Sequence, residues 1–213
     1  MTMILREQLT AGAPGIIAIL RGVQPDEVVA VGSVLVEAGI RIIEVPLNSP
    51  QPLVSIERLC ASVPHDVLVG AGTVTSIAAV NDVAATGARL IVAPNANSEL
   101  IAHSIKRGLD VVPGIMTPTE AFAAIDAGAT HLKLFPAGSS GAAHLKALRE
   151  VLPRECSVWA VGGTGANNLA EWLAAGAVGI GVGGALYKAG ATIDAVRNRA
   201  LELVKAWHTA RSQ

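Results

Sequence analysis

Apolar positions gather in eight short runs: Ile16–Leu20, Ile42–Leu47, Val67–Val69, Leu90–Ala93, Asp110–Val112, His131–Phe135, Ser157–Val161 and Val178–Val182. They recur every 20 to 26 residues. Near-continuous runs of this kind suit strands covered on both faces, as in a parallel sheet. The segments between them have helical spacing. Val28, Val31 and Leu35 make one apolar face, and Leu169, Trp172 and Leu173 another. Thr117-Pro118-Thr119-Glu120 combines an N-cap threonine, a first-turn proline and a capping-box glutamate. Ser49-Pro50 is expected to open a helix in the same way. Gly39, Gly87, Gly108, Gly128 and Gly176 fall where helix C-caps belong. Eight β-α units with short links predict an α/β fold, a single (β/α)8 TIM barrel spanning residues 1–213. A short N-terminal helix over Met1 to Leu9 precedes it, and Thr192 to Ala210 reads as the final outer helix. A doubly wound open sheet is the alternative.

Composition narrows this picture. Of 213 residues, 51% are hydrophobic, which suits one domain with a large core. Charged residues make up 15% and the net charge is -1, so no basic face for nucleic acid is expected. Mean hydropathy is high, at +0.50. Yet no apolar run reaches the roughly 18 residues of a membrane span, so the oily character belongs to a buried sheet and no membrane contact is expected. Arg6 and Glu7 interrupt the N-terminus, which lacks the apolar core of a signal peptide. Cys60 and Cys156 lie far apart in apolar segments and read as buried free thiols in a reducing, cytoplasmic setting. His65, His103, His144 and His208 have no metal-ligand spacing and read as surface residues, while His131 reads as a core histidine. No metal and no cofactor are expected.

In such barrels the chemistry sits at the C-terminal ends of the strands. Two ionisable residues interrupt otherwise apolar strands there, Glu44 in the second run and Lys133 in the sixth. Both strands are even-numbered, so the two side chains can share a layer across the barrel. They could form a buried ion pair of little net value to stability. They could instead be a carbonyl-attacking lysine and a proton-shuttling carboxylate. Burial would lower the lysine pKa while an ionised Glu44 would raise it, and sequence does not say which effect wins. Arg21 ends the first strand and could clamp a substrate carboxylate through its planar donor fork. Thr73, after Gly70-Ala71-Gly72, could donate a hydroxyl to the same group. Gly162-Gly163 and Gly183-Gly184 end strands seven and eight, followed in the former case by Thr164, Gly165 and Asn167. Barrels often hold phosphate there on backbone N–H groups.

These residues match a family pattern. Ile19-Leu20-Arg21-Gly22, Glu44 to Pro52, Gly70 to Val74, Lys133-Leu134-Phe135-Pro136 and Val161-Gly162-Gly163 resemble, in order, the class I 2-keto-3-deoxy-6-phosphosugar-acid aldolases. The resemblance implies Lys133 as the Schiff-base lysine and Glu44 as the proton shuttle. It implies Arg21 and Thr73 at the pyruvyl carboxylate, with phosphate near Gly162, Gly163, Gly183 and Gly184. Phe135 and Pro94 are expected to wall the pyruvyl methyl. A phosphorylated keto acid and pyruvate would be the small-molecule partners, and the assembly a homotrimer. Two positions resemble the galactonate branch. Asn48 stands where the gluconate branch typically carries arginine, with Arg21 supplying that charge instead, and Val161 stands where it tends to carry threonine. Gly184 departs from the galactonate branch, which carries serine there. An acid–base sugar-phosphate epimerase or isomerase, and a barrel that only binds a phosphorylated ligand, are the competing readings.

Overall fold

The computed structural model describes residues 4–212. Nine parallel strands form one sheet. They are β1 (Ile16–Ile19), β2 (Ile42–Pro46), β3 (Leu68–Gly72), β4 (Leu90–Val92), β5 (Asp110–Val112), β6 (Gly114–Ile115), β7 (His131–Leu134), β8 (Ser157–Val161) and β9 (Gly179–Val182). The sheet order is β5-β4-β3-β2-β1-β9-β8-β7-β6. Its two ends are β5, which is the predicted fifth run, and β6, a two-residue strand just beyond it that was not predicted. Pro113 stands between them and has no N–H for a ladder. β5 pairs with β4 and β6 with β7, while the Pro113 carbonyl accepts the Lys133 N–H at 2.8 Å. The covalent chain therefore joins the two edges, and the eight expected strands become nine segments of a TIM-like barrel. The open-sheet alternative is excluded.

Helices α1 (Ile4–Thr10), α2 (Val28–Glu37), α3 (Pro52–Ser62), α4 (Ile77–Ala85), α5 (Ser98–Lys106), α6 (Pro118–Asp126), α7 (Ala137–Ser140), α8 (Ala142–Val151), α9 (Leu169–Ala174) and α10 (Ile193–Arg211) complete the chain. The Thr117–Glu120 capping box forms, and the five C-terminal glycines all take positive φ. The start of α3 differs from expectation. Pro52, not Pro50, occupies its first turn, and Gln51 at φ 40 makes the entry. Of the predicted N-terminal helix, Met1 to Met3 lie outside the described residues. Among the described residues no helix is long and apolar enough to cross a membrane.

Although both faces of the sheet are buried, strand parity still sorts the side chains. Ile16, Ala18, Leu20, Ile43, Val45, Leu132, Leu134, Val158 and Ala160 join the cluster shared with the helices. Ile17, Ile19, Ile42, Leu68, Leu90, Val92, Val112, Trp159 and Val161 form the second cluster, inside the barrel. Leu5 of α1 is fully buried in this inner cluster and plugs the barrel floor. Burying one leucine contributes roughly 2 kcal/mol. His131 lies inside too, 2% exposed, and accepts the Trp159 indole N–H on Nδ1 at 3.2 Å. Burial lowers its pKa to about 4, so it is a neutral core histidine as expected. His65 and His208 are exposed. His103 and His144 are half-buried instead, because each ring is tied down. His103 pairs with Asn81 at 2.9 Å, and His144 donates to the Met116 carbonyl at 2.7 Å. Cys156 is buried, whereas Cys60 is only half so.

Candidate active site

Parity along β2 and β7 turns Glu44 and Lys133 into the barrel, on the same side as Ile42 and His131. Their exposures are 2% and 6%. Each is flanked along its strand by apolar residues that face the helices, and each enters the interior as the one acidic or basic side chain of its strand other than the neutral His131. They act on one another electrostatically, but form no ion pair within 4.0 Å. Glu44 Oε2 is buried with no hydrogen-bond partner. Loss of hydration dominates both groups. It raises the Glu44 carboxyl to about 7 against the opposing pull of Lys133 and Arg21. It lowers the Lys133 ammonium below its ordinary range, with the Arg21 charge acting in the same direction and Glu44 against it. Desolvation thus wins the contest that the sequence left open.

A cavity of about 680 Å³ opens above this pair. Arg21, Glu44, Lys133, Phe135, Val161, Gly162, Gly163, Gly183 and Gly184 line it, joined by Ile19, Thr164, Asn167, Gly181 and Ala185. The Lys133 Nζ lies 4.5 Å from the Phe135 ring centroid. Phe135 in turn rests against Gly162, whose φ is 95; a Cβ there would lie 3.4 Å from the ring. Thr73 and Pro94 do not line the cavity. Thr73, directly after β3, takes a left-handed φ of 58. Such a conformation in a β-branched residue costs about 1–3 kcal/mol. The Pro94 carbonyl lies against Gly114, 2.2 Å from where a Cβ would sit, so only glycine fits at 114.

Arg21 is exposed, but it is held. Its Nη1 donates to Asn48 Oδ1 at 2.6 Å, and the next N–H, of Gly22, donates to Ser49 Oγ at 3.0 Å. Two adjacent residues after β2 thereby fix two adjacent residues after β1. After β8, Gly162 and Gly163 both take positive φ, at 95 and 76. Asn168 secures their loop by donating to the Gly163 carbonyl and accepting from the Gly165 N–H, each at 2.9 Å. The Gly138 N–H adds a bond to the Gly162 carbonyl at 2.7 Å. The Gly183 carbonyl accepts from both Leu186 and Tyr187, which curls the second glycine loop into a single turn.

One residue has a role that the sequence did not suggest. Gly72 does not simply open the backbone to a ligand. A Cβ at this position would lie 1.8 Å from Glu44 Oε2 and 2.5 Å from Oε1. Its φ is unexceptional, so the requirement is for space alone. Gly72→Ala is expected to displace the carboxyl group and lower kcat by roughly 10²-fold. Steady-state kinetics beside thermal melts would separate this from a loss of fold. Ile19 and Gly181 were also missed as lining residues, though period-two alternation along β1 and β9 points both inward. Among the described residues no three His, Cys, Asp or Glu side chains come together as metal ligands would.

Comparison with known proteins agrees with this geometry. The family model described as KDPG and KHG aldolase matches residues 7–201. The chain is 44% identical over 195 residues to the 2-dehydro-3-deoxy-6-phosphogalactonate aldolase of Escherichia coli K12, covering 92% of this chain and 95% of that one. A solved structure described as native KDPGal superposes with a TM-score of 0.91 at 43% identity, over 93% of this chain and 96% of that one. A KDPG aldolase from Legionella pneumophila, solved with pyruvate captured at low pH as a covalent carbinolamine intermediate, gives 0.79 at 26% identity over 93% and 94%. With a family match that spans almost the whole barrel and an identity this high, the chain belongs to the KDPG and KHG aldolases, which are carbon–carbon lyases.

Proposed function

We propose that this class I aldolase cleaves 2-dehydro-3-deoxy-6-phospho-D-galactonate to pyruvate and D-glyceraldehyde 3-phosphate, with Lys133 as the Schiff-base lysine and Glu44 as the proton shuttle. The observation that carries the reading is the pair itself. A buried lysine with a lowered pKa and a carboxyl raised to about 7 share one cavity. Gly162, Gly163, Gly183 and Gly184 line the same cavity. The captured carbinolamine in the Legionella relative supports covalent chemistry with pyruvate at such a site.

The neutral Lys133 amine attacks the C2 ketone to give a carbinolamine. Glu44 delivers a proton to the departing hydroxyl, water leaves, and an iminium forms. The carboxylate then takes the proton of the C4 hydroxyl. The C3–C4 bond breaks, its electron pair moves into the iminium, and the aldehyde departs from an enamine. Glu44 returns the proton to C3, and water hydrolyses the resulting iminium to pyruvate and free Lys133. A carboxyl that titrates near neutrality suits both directions of transfer. Arg21, braced by Asn48, would hold the pyruvyl carboxylate. Phe135 would wall the methyl side. The backbone N–H groups around Gly162, Gly163, Gly183 and Gly184 would hold the phosphate.

The galacto assignment rests on Val161, on Asn48 with Arg21, and on the identity to the Escherichia coli galactonate enzyme. The gluconate epimer is the competing substrate. The two differ at C4, the carbon whose hydroxyl Glu44 deprotonates. The expected result is that kcat/KM for the galacto epimer equals or exceeds that for the gluco epimer. A strong preference for the gluco compound would contradict the assignment. We also infer a homotrimer acting in the cytoplasm. The exposed apolar side chains of Ile105 on α5 and Phe122 on α6, at 37% and 41%, favour a covered face on neighbouring helices. Sedimentation giving a monomer would refute the trimer.

A further inference from the structure

Five polar side chains line the cavity: Arg21, Glu44, Lys133, Thr164 and Asn167. The first three act on one another. Thr164 is committed elsewhere, since its hydroxyl donates to the Gly181 carbonyl at 2.6 Å. Asn168 is committed to the loop at both ends of its amide. Asn167 is not. It is exposed, and its side chain has no hydrogen-bond partner among the described residues.

Its position is well defined. A Cβ built on Gly165 would meet Asn167 Oδ1 at 3.1 Å and Ala185 Cβ at 3.4 Å. The amide therefore lies over Gly165, alongside the loop that carries Gly183, Gly184 and Ala185. Both cations in the lining, Arg21 and Lys133, act on Glu44. The two glycine loops offer backbone donors, and Asn167 is the polar side chain beside them that is left uncommitted among the described residues. At residue 184 the chain has no hydroxyl to contribute, although a Cβ there would meet nothing within 4 Å and its φ is not left-handed. Crowding is thus not the reason for the missing side chain.

We propose that Asn167 donates its amide N–H to the substrate's distal phosphate and is the side-chain determinant of phosphate recognition in this chain. The inference rests on reading the two glycine loops as the phosphate subsite. A carboxamide NH₂ carries two donors and no charge. A hydrogen bond to a charged group is among the stronger kinds, though exposure keeps this one at the low end. Asn167→Ala removes the donors. Asn167→Asp keeps the size and replaces them with an anion.

The test is the condensation direction, with pyruvate fixed and either D-glyceraldehyde 3-phosphate or unphosphorylated D-glyceraldehyde as acceptor. Asn167→Ala is expected to raise KM for the phosphorylated aldehyde about tenfold, and Asn167→Asp to raise it further. KM for the unphosphorylated aldehyde and the borohydride-trapped yield with pyruvate alone should not move. If both variants leave the phosphorylated KM unchanged, or shift both acceptors alike, the proposal is overturned. A wild-type enzyme that does not discriminate between the two aldehydes overturns the phosphate subsite as well. A discriminating wild type with indifferent variants sinks the Asn167 role alone.

Discussion

Replacing Lys133 by methionine is expected to reduce cleavage by more than about 10⁴-fold, because the electron sink for C3–C4 scission exists only once an amine has condensed with the ketone. The protein should still fold. Methionine fits the stem of lysine, and the change removes a buried ammonium whose desolvation already lowers its pKa. Glu44 would lose an opposing positive charge, rise further and enter the core as a neutral acid. Lysine cannot be replaced here by arginine, whose guanidinium does not deprotonate in proteins. Retained activity in Lys133→Met, measured by coupled pyruvate release, would end the Schiff-base reading.

Glu44→Gln should give the second large effect, and in two opposite directions. Proton relay is lost, so kcat falls by roughly 10²- to 10⁴-fold. Stability changes with pH in a way that follows from linkage. Burial raises the folded carboxyl to about 7, above its ordinary value of 4.5. Folding therefore takes up a proton between those two values. The contribution to stability is fully present below about 4.5 and is lost as pH rises through about 7. The full swing amounts to roughly 3 kcal/mol. Glutamine cannot titrate, so Glu44→Gln should gain on the wild type between pH 5 and pH 8. Urea unfolding at both pH values measures this directly. Parallel shifts at the two pH values would mean that the carboxyl is not held near neutrality. The same variant should also lose the limb of the kcat/KM profile near pH 7. A functional group that lowers stability at working pH is a common cost of an active site.

Much of this was legible because the physical signals were local. Eight β-rich runs at even spacing specify a barrel, and the caps at Thr117 and the five glycines are single-residue signals. Glu44 and Lys133 stood out since a charge in an apolar strand has few explanations. Three features were not legible. The extra strand β6 depends on the chain on either side of Pro113 meeting two different neighbours, which is a matter of closure rather than of local pattern. The entry into α3 depends on Gln51 adopting φ 40, a conformation that its residue type does not advertise. The balance at Lys133 depends on how far Glu44 and Arg21 lie from a desolvated amine, and distance across a barrel cannot be read from strand parity. Gly72 illustrates the same limit. A glycine near a site suggests backbone access to a ligand, while its observed neighbour is the Glu44 carboxyl group. Thr73 and Pro94 follow their strands in sequence, yet neither is among the residues that line the cavity.

The central claim is that Lys133 forms the covalent intermediate. Its most direct test is borohydride reduction of the wild-type enzyme in the presence of pyruvate, followed by peptide mapping. The account predicts one reduced pyruvyl adduct per chain, on the peptide that contains Lys133, and none in Lys133→Met. An unmodified Lys133, or an adduct on a different lysine, would contradict it.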